Sequence, residues 1–221
     1  LGKDKSYQPR HVHVIGAGTM GGDIAAWCAF RGFHVTLQDQ APERIAPAMK
    51  RAYTLFKRKL KRANKITEAM DRLMPDHKGI GVERADIVIE AIFEDAEVKR
   101  SLYKDIEPRM KQEAILATNT SSIPLEELSS ALERPERLVG LHFFNPVAMM
   151  QLVEVVRGET TSADVAAHAM TFTRQIDRLP LPVTSTPGFL VNRILMPYLM
   201  EAVLLEAEGI PPAVIDKAAT D

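Results

Sequence analysis

Three glycines and an acid carry the first chemistry legible in the chain. Gly16, Gly18 and Gly21 form G-x-G-x-x-G directly after the apolar run "HVHVIG", at the start of a helix-compatible stretch from Met20 to Arg31. The first glycine permits a tight turn, the second lets backbone approach a pyrophosphate, and the third lets helix and strand pack closely. The helix N-terminus then offers unpaired N–H groups and the positive end of its dipole to phosphate oxygens, with Thr19 and Met20 lying within this turn. Asp39 closes the next strand-like run, "HVTLQD", eighteen residues after Gly21. A carboxylate there binds ribose hydroxyls and repels a 2′-phosphate. Its neighbour is Gln40 rather than an arginine, so NAD is favoured over NADP.

A second constellation lies in "GLHFFNPVAMMQLVEVV". His142 ends one strand-like run, Asn145-Pro146 makes a turn, and Glu154 sits on the next run. Histidine exchanges a proton near neutral pH, and a carboxylate on one ring nitrogen fixes its tautomer. The twelve-residue spacing permits contact without requiring it, so the residues alone leave a structural histidine and an acid–base histidine both open. Ser121 and Ser122 read equally as turn or N-cap residues. Asn192 reads as a polar residue on a helix, and Glu94 and Lys99 as a solvated helix face.

The elements around these residues alternate. Strands are expected at "HVHVIG", "HVTLQD", "ADIVIEAI", "AILATNTSS", "LVGLHFFN" and "LVEVV", and helices at Met20–Arg31, Glu97–Met110 and Ser162–Gln175. A charged helical hairpin is expected from Pro42 to about Asp76. "LPLPVTST" is extended, with prolines that suit a sheet edge, and Gly188 to Glu208 is helical. This order predicts an α/β fold, a Rossmann-type doubly wound and mostly parallel sheet with a helical-hairpin insertion. The start of an all-α C-terminal domain follows. The domain reading is a linker at 1–10, a dinucleotide-binding domain at 11–186, and the first helices of the second domain at 187–221.

Composition narrows the function classes. With 221 residues, 46% of them hydrophobic, the chain can bury a full core, and a formal charge of −1 gives no global field toward nucleic acid or membrane. No apolar run reaches the ~20 residues that span a bilayer. The single Cys28 suits a reducing compartment. With no leader visible after an initial Leu, the reading is cytoplasmic, with the N-terminus as the end of a linker in a longer polypeptide. Between Lys50 and Lys65 stand eight basic residues and no acid. They are either a solvated helix face or a docking surface for the phosphates of coenzyme A.

The pieces "VIGAGTMG", "IEAIFED", "NTSS", "GLHFFNPV", "LVEVV" and "TPGFLVNR", in this order, resemble the 3-hydroxyacyl-CoA dehydrogenase family. The resemblance spans nearly the whole chain. It implies NAD-dependent oxidation of (S)-3-hydroxyacyl-CoA in fatty-acid β-oxidation. His142 would be the general base toward the 3-hydroxyl, oriented by Glu154, with Ser121 as donor to the substrate oxygen and Asn192 doing likewise or holding the reacting groups in register. Glu94, Lys99 and Asn119 would stand with the glycine turn, Asp39 and Gln40 around the cofactor. The wording "GGDIAAWCAFRGFHVTLQD" is closer to multifunctional β-oxidation proteins, which implies an enoyl-CoA hydratase domain as fused partner. The family's C-terminal domain implies a homodimer, and an apolar helix at Leu190–Leu205 lacking part of its cover. Two other readings remain: a non-catalytic NAD-binding module, and a related dehydrogenase of small hydroxy acids.

Overall fold

The computed structural model describes residues 7–220. Residues 1–6 of the expected linker lie outside them. The order is β1 His11–Ile15, α1 Thr19–Phe30, β2 His34–Gln38, α2 Pro42–Lys59, α3 Ala63–Asp71, β3 Leu73–Pro75, β4 Ile87–Glu90, α4 Ala96–Ile106 and β5 Ile115–Thr118. Then follow α5 Leu125–Ser129, β6 Leu138–Phe143, β7 Leu152–Arg157, α6 Ala163–Gln175, β8 Leu179–Thr184, α7 Val191–Ala207 and α8 Pro212–Thr220.

The eight strands form one sheet in the order β3-β2-β1-β4-β5-β6-β7-β8. Every neighbouring pair is parallel except β6 and β7. The Rossmann-type expectation is met. The chain runs outward from β1 to β3 and then returns to β4 on the other side of β1. That reversal opens a crevice at the carboxyl ends of β1 and β4, where doubly wound sheets take their ligands.

The sheet is covered on both faces, as parallel sheets require. Side chains alternate across it. Val12, Val14, Ile87, Ile89, Ala117, Val139 and Leu141 enter one apolar cluster with α1, α2 and α6. Ile15, Val88, Leu116 and Leu138 enter the other, with α4 and α5. Gly32, at φ +102°, ends α1 in a left-handed turn. Its N–H donates to the carbonyl of Ala29, and that of Phe33 to Cys28, so the last carbonyls of the helix are satisfied and the chain turns into β2.

One expectation needs correction. The stretch read as helical hairpin up to about Asp76 ends earlier, because Leu73–Pro75 is a strand on the sheet edge. Three residues ending in proline carry no alternation from which a strand can be read. The strand exists because β2 offers an unpaired edge, with Val35 opposite Leu73. The proline-bearing β8 takes the other edge, as expected.

No residue of α7 is buried. Ile194, Met196 and Tyr198 are 66%, 53% and 57% exposed. Among the described residues, no helix is long and apolar enough to cross a membrane.

Candidate active site

The glycine turn is fixed by close backbone approaches. Gly16 sits at φ +108°, and a Cβ there would lie 2.4 Å from the carbonyl oxygen of Ala91. A Cβ on Gly21 would lie 1.9 Å from the carbonyl oxygen of Gly16. Neither position tolerates a side chain without moving backbone. Gly18 differs: a Cβ there would meet nothing within 4 Å, because the residue faces an open cleft. The turn therefore presents bare backbone and the N-terminus of α1 to a ligand, as a dinucleotide pyrophosphate requires.

The cleft has a volume of about 1060 Å³. Its walls include Gly16, Gly18, Thr19, Met20, Asp39, Gln40, Glu94, Asn119, Ser121 and His142. Asp39 is 8% exposed. Its two oxygens accept from the backbone N–H groups of Ala17, at 2.7 Å, and Ala41, at 2.9 Å. These bonds hold the carboxylate at the end of β2, and each oxygen keeps a further lone pair for a ribose hydroxyl. Arg51 of α2 donates to the carbonyl of Gly18 at 2.8 Å and pairs with Asp23 at 3.3 Å. The hairpin is thereby stitched to the glycine turn, a contact the basic run alone does not announce.

Across the cleft, His142 and Glu154 stand directly opposite each other in the antiparallel β6–β7 register. His142 Nδ1 lies 2.7 Å from Glu154 Oε2. Both side chains are buried, at 8% and 0% exposure. An ionised carboxylate only accepts, so Nδ1 carries the proton and Nε2 keeps its lone pair as the basic atom. Phe144 and Phe189 pack on the imidazole, with ring centroids 4.5 and 5.6 Å away. The other Glu154 oxygen accepts from the N–H groups of Leu190 and Val191, both at 2.9 Å. The carboxylate that orients the histidine thus also caps the N-terminus of α7.

Asn119 Oδ1 accepts from the Phe143 N–H at 2.9 Å, tying the end of β5 to that of β6. Glu94 Oε1 accepts from Thr120 Oγ1 at 2.6 Å and from the Ser121 N–H at 2.7 Å. Burial alone would push this carboxyl up, but those bonds and the Lys99 charge outweigh it and hold it below the usual carboxylate range. Asn192 does not line the cleft; its side-chain amide donates to the Ser121 carbonyl at 3.2 Å.

Lys99 is neither a solvated helix face nor a wall of the cleft. It is 1% exposed, and its ammonium lies 2.6 Å from Glu90 Oε1. Helical spacing puts this lysine on the buried face of α4 with Tyr103 and Ile106, at i, i+4 and i+7, and away from the exposed Glu97 and Val98. Glu90 is not among the residues that the sequence motifs single out. A charged residue closing the apolar run "IVIE" is the signal that could have found it.

Lys50, Arg51 and Arg58 of the basic run line a second cavity of about 560 Å³, together with Pro146, Ala148 and Met149. It adjoins the segment that follows His142.

Comparison with known proteins agrees with this geometry. The family model described as 3-hydroxyacyl-CoA dehydrogenase, NAD binding domain, matches residues 11–186. The model of the same family's C-terminal domain matches residues 188–221. The crystal structure of 3-hydroxybutyryl-CoA dehydrogenase from Escherichia coli K12 superposes with a TM-score of 0.87 at 36% identity, over 92% of this chain and 44% of that one. The (S)-3-hydroxybutyryl-CoA dehydrogenase from Ralstonia eutropha gives 0.86 at 35% identity, over 92% of this chain and 74% of that one. The dehydrogenase part of multifunctional enzyme 1 from C. elegans gives 0.76 at 32% identity, over 90% and 46%. With an NAD-binding domain matched along most of its length, and a cleft whose walls suit that cofactor, the chain belongs to the 3-hydroxyacyl-CoA dehydrogenase family.

Proposed function

We propose that this chain oxidises (S)-3-hydroxyacyl-CoA to 3-oxoacyl-CoA with NAD, as a step of fatty-acid β-oxidation. The observation that carries the reading is the His142–Glu154 pair, 2.7 Å apart and opening on the same cleft as the glycine turn and Asp39. NAD, when bound, supplies the two-electron acceptor. The protein supplies a base, donors and alignment. His142 Nε2 takes the proton of the 3-hydroxyl. Glu154 holds the ring through Nδ1 and stabilises the imidazolium that forms. Ser121, on the cleft wall, gives its one hydroxyl proton to Glu94 at 3.1 Å, and turns it to the substrate oxygen as negative charge grows there. Asn192 serves the same oxygen by holding the Ser121 carbonyl, which fixes the direction of that serine.

The glycine turn, Thr19, Met20, Asp39, Gln40, Asn119 and Glu94 surround the cofactor. Lys50 and Arg58, beside the second cavity, receive the phosphates of coenzyme A. In this reading 11–186 is the cofactor domain and 187–221 the opening of the helical domain. The fused partner is an enoyl-CoA hydratase, as the likeness to the dehydrogenase part of a multifunctional enzyme suggests. The exposed apolar side chains of α7 suit a homodimer. The location is cytoplasmic.

The test is NAD reduction at 340 nm with 3-hydroxybutyryl-CoA. His142→Ala is expected to lower kcat about 10³-fold, with NAD affinity kept. Turnover unimpaired by that substitution would overturn the mechanism. A second reading, a module that binds NAD without turnover, is favoured by the same uncovered apolar face of α7. NAD binding by the wild-type chain without reduction would select it.

A further inference from the structure

Helix α6 ends in a turn closed by its own backbone. Asp177 takes a left-handed conformation at φ +58°. Its N–H donates to the Arg174 carbonyl at 2.9 Å, and that of Arg178 to the Thr173 carbonyl at 3.0 Å. The next side chain, Arg178, is buried at 7% exposure. Its guanidinium carbon lies 3.7 Å from the centroid of the Trp27 ring. Trp27, on α1, donates through Nε1 to the Ile176 carbonyl at 2.7 Å, which fastens the ring to the same turn. Arg178 Nη1 donates to the Asp177 carbonyl at 2.8 Å, and Nη2 to the Val147 carbonyl at 2.7 Å.

This cation is costly to bury. Asp177 pairs with Arg31 at 3.4 Å, and Arg178 Nε has no hydrogen-bond partner among the described residues. Burial pulls the guanidinium below its ordinary value, against the nearby Asp177 charge. The place of the Val147 carbonyl supplies a reason for the charge. Val147 stands midway along the connection from β6 to β7. The N–H groups of Met149 and Met150 donate to the Pro146 carbonyl at 2.9 and 3.0 Å, bonds internal to that connection. Among the described residues, the Arg178 bond is the hydrogen bond that reaches 145–150 from outside.

The connection faces two ways. Phe144 and Asn145 line the cleft, and Phe144 packs on the His142 imidazole. Pro146, Ala148 and Met149 line the second cavity. We propose that Arg178 is a positioning residue: its guanidinium, seated on Trp27, fixes the β6–β7 connection through the Val147 carbonyl and so sets the wall that the cleft shares with the second cavity. A lysine does not replace it, because only a planar fork lies on the ring and serves two carbonyls at once. That this wall receives an acyl-CoA rests on the dehydrogenase reading. That Arg178 orders it does not.

Amide hydrogen exchange at Met149 and Met150 tests the tie without turnover. Exchange there is expected to quicken about 10-fold or more in Arg178→Met and about 3-fold or more in Arg178→Lys, with the amides of β1 and α4 unchanged. In Arg178→Met, KM for 3-hydroxybutyryl-CoA is expected to rise about 10-fold while KM for NAD stays within about 2-fold, and Arg178→Lys should fall between this variant and wild type. Wild-type exchange at Met149 and Met150 in either variant overturns the proposal. So does a quickening spread evenly over β1 and α4, the mark of a general loss of stability. Equal rises in KM for both ligands overturn it too. If Arg178→Met does not fold, Arg178→Lys decides alone. A wild-type chain without turnover would sink the dehydrogenase reading alone, because the exchange result still decides the role of Arg178.

Discussion

The two walls of the cleft are built differently. The wall that takes the dinucleotide comes from one continuous β-turn-α-β passage, from His11 to Asp39, and acts mainly through backbone. The wall proposed for the chemistry comes from separated segments, with Ser121 and His142 lining the cleft and Asn192 and Glu154 behind them, and would act through side chains. The first is specified by neighbours in sequence, so its parts form together. The second exists only after β6, β7 and α7 have come together. Damage to the first is therefore expected to weaken binding at constant chemistry, and damage to the second to slow chemistry at constant binding.

The largest expected effect tests that division most severely. His142→Ala should cost about 10³-fold in kcat with the NAD dissociation constant within about 2-fold. A loss spread equally over both would mean that the walls are not independent.

Next comes pH, which strikes the cofactor wall from below. His13 is fully buried in β1. Its Nδ1 lies 2.7 Å from Thr36 Oγ1 and its Nε2 2.9 Å from Gln38 Oε1. An amide oxygen only accepts, so Nε2 carries the proton and Nδ1 accepts from the Thr36 hydroxyl. Burial drops this ring from its ordinary 6.5 to about 4. The unfolded chain then takes up the proton first. The stability due to neutral His13 is complete above pH 6.5 and is lost as pH falls toward 4. The loss amounts to about 3 kcal/mol. Chemical denaturation from pH 7 to 4 measures it, and His13→Gln, which cannot titrate, should flatten that part of the slope. A wild-type curve already flat over this range would show that His13 does not support the wall this way.

Glu154→Gln should cost about 30-fold in kcat, or about 2 kcal/mol. It should also quicken amide exchange at Leu190 and Val191, whose N–H groups the carboxylate holds. A kinetic loss without that second effect would separate histidine orientation from the seating of α7. The smallest effect is expected at Asp39→Ala: about 10-fold weaker NAD binding, near 1.4 kcal/mol, with kcat at saturating NAD unchanged. A fall in kcat there would join the two walls energetically.

The unequal construction explains what could be read in advance. The glycine turn was legible because each glycine answers a local steric demand. The parallel strands were legible as short apolar runs between helices. The three-residue β3 was not, since its pairing partner rather than its own pattern makes it a strand. Lys99 shares its helix face with the apolar Tyr103 and Ile106, so spacing marks it as buried while its charge reads as solvated. Its buried partner, Glu90 on β4, lies outside the helix altogether.

The sequence by itself determined a dinucleotide turn with an acid suited to NAD, since those demands are met by residues within one βαβ passage. It also placed a histidine and a glutamate on two strand-like runs around a proline turn. Only the tertiary structure decided that these two become partners. The antiparallel return of β7 puts Glu154 opposite His142, and the cap that Glu154 provides to α7 brings Asn192 to Ser121. Register and domain contact are long-range properties, and residue type and spacing do not carry them.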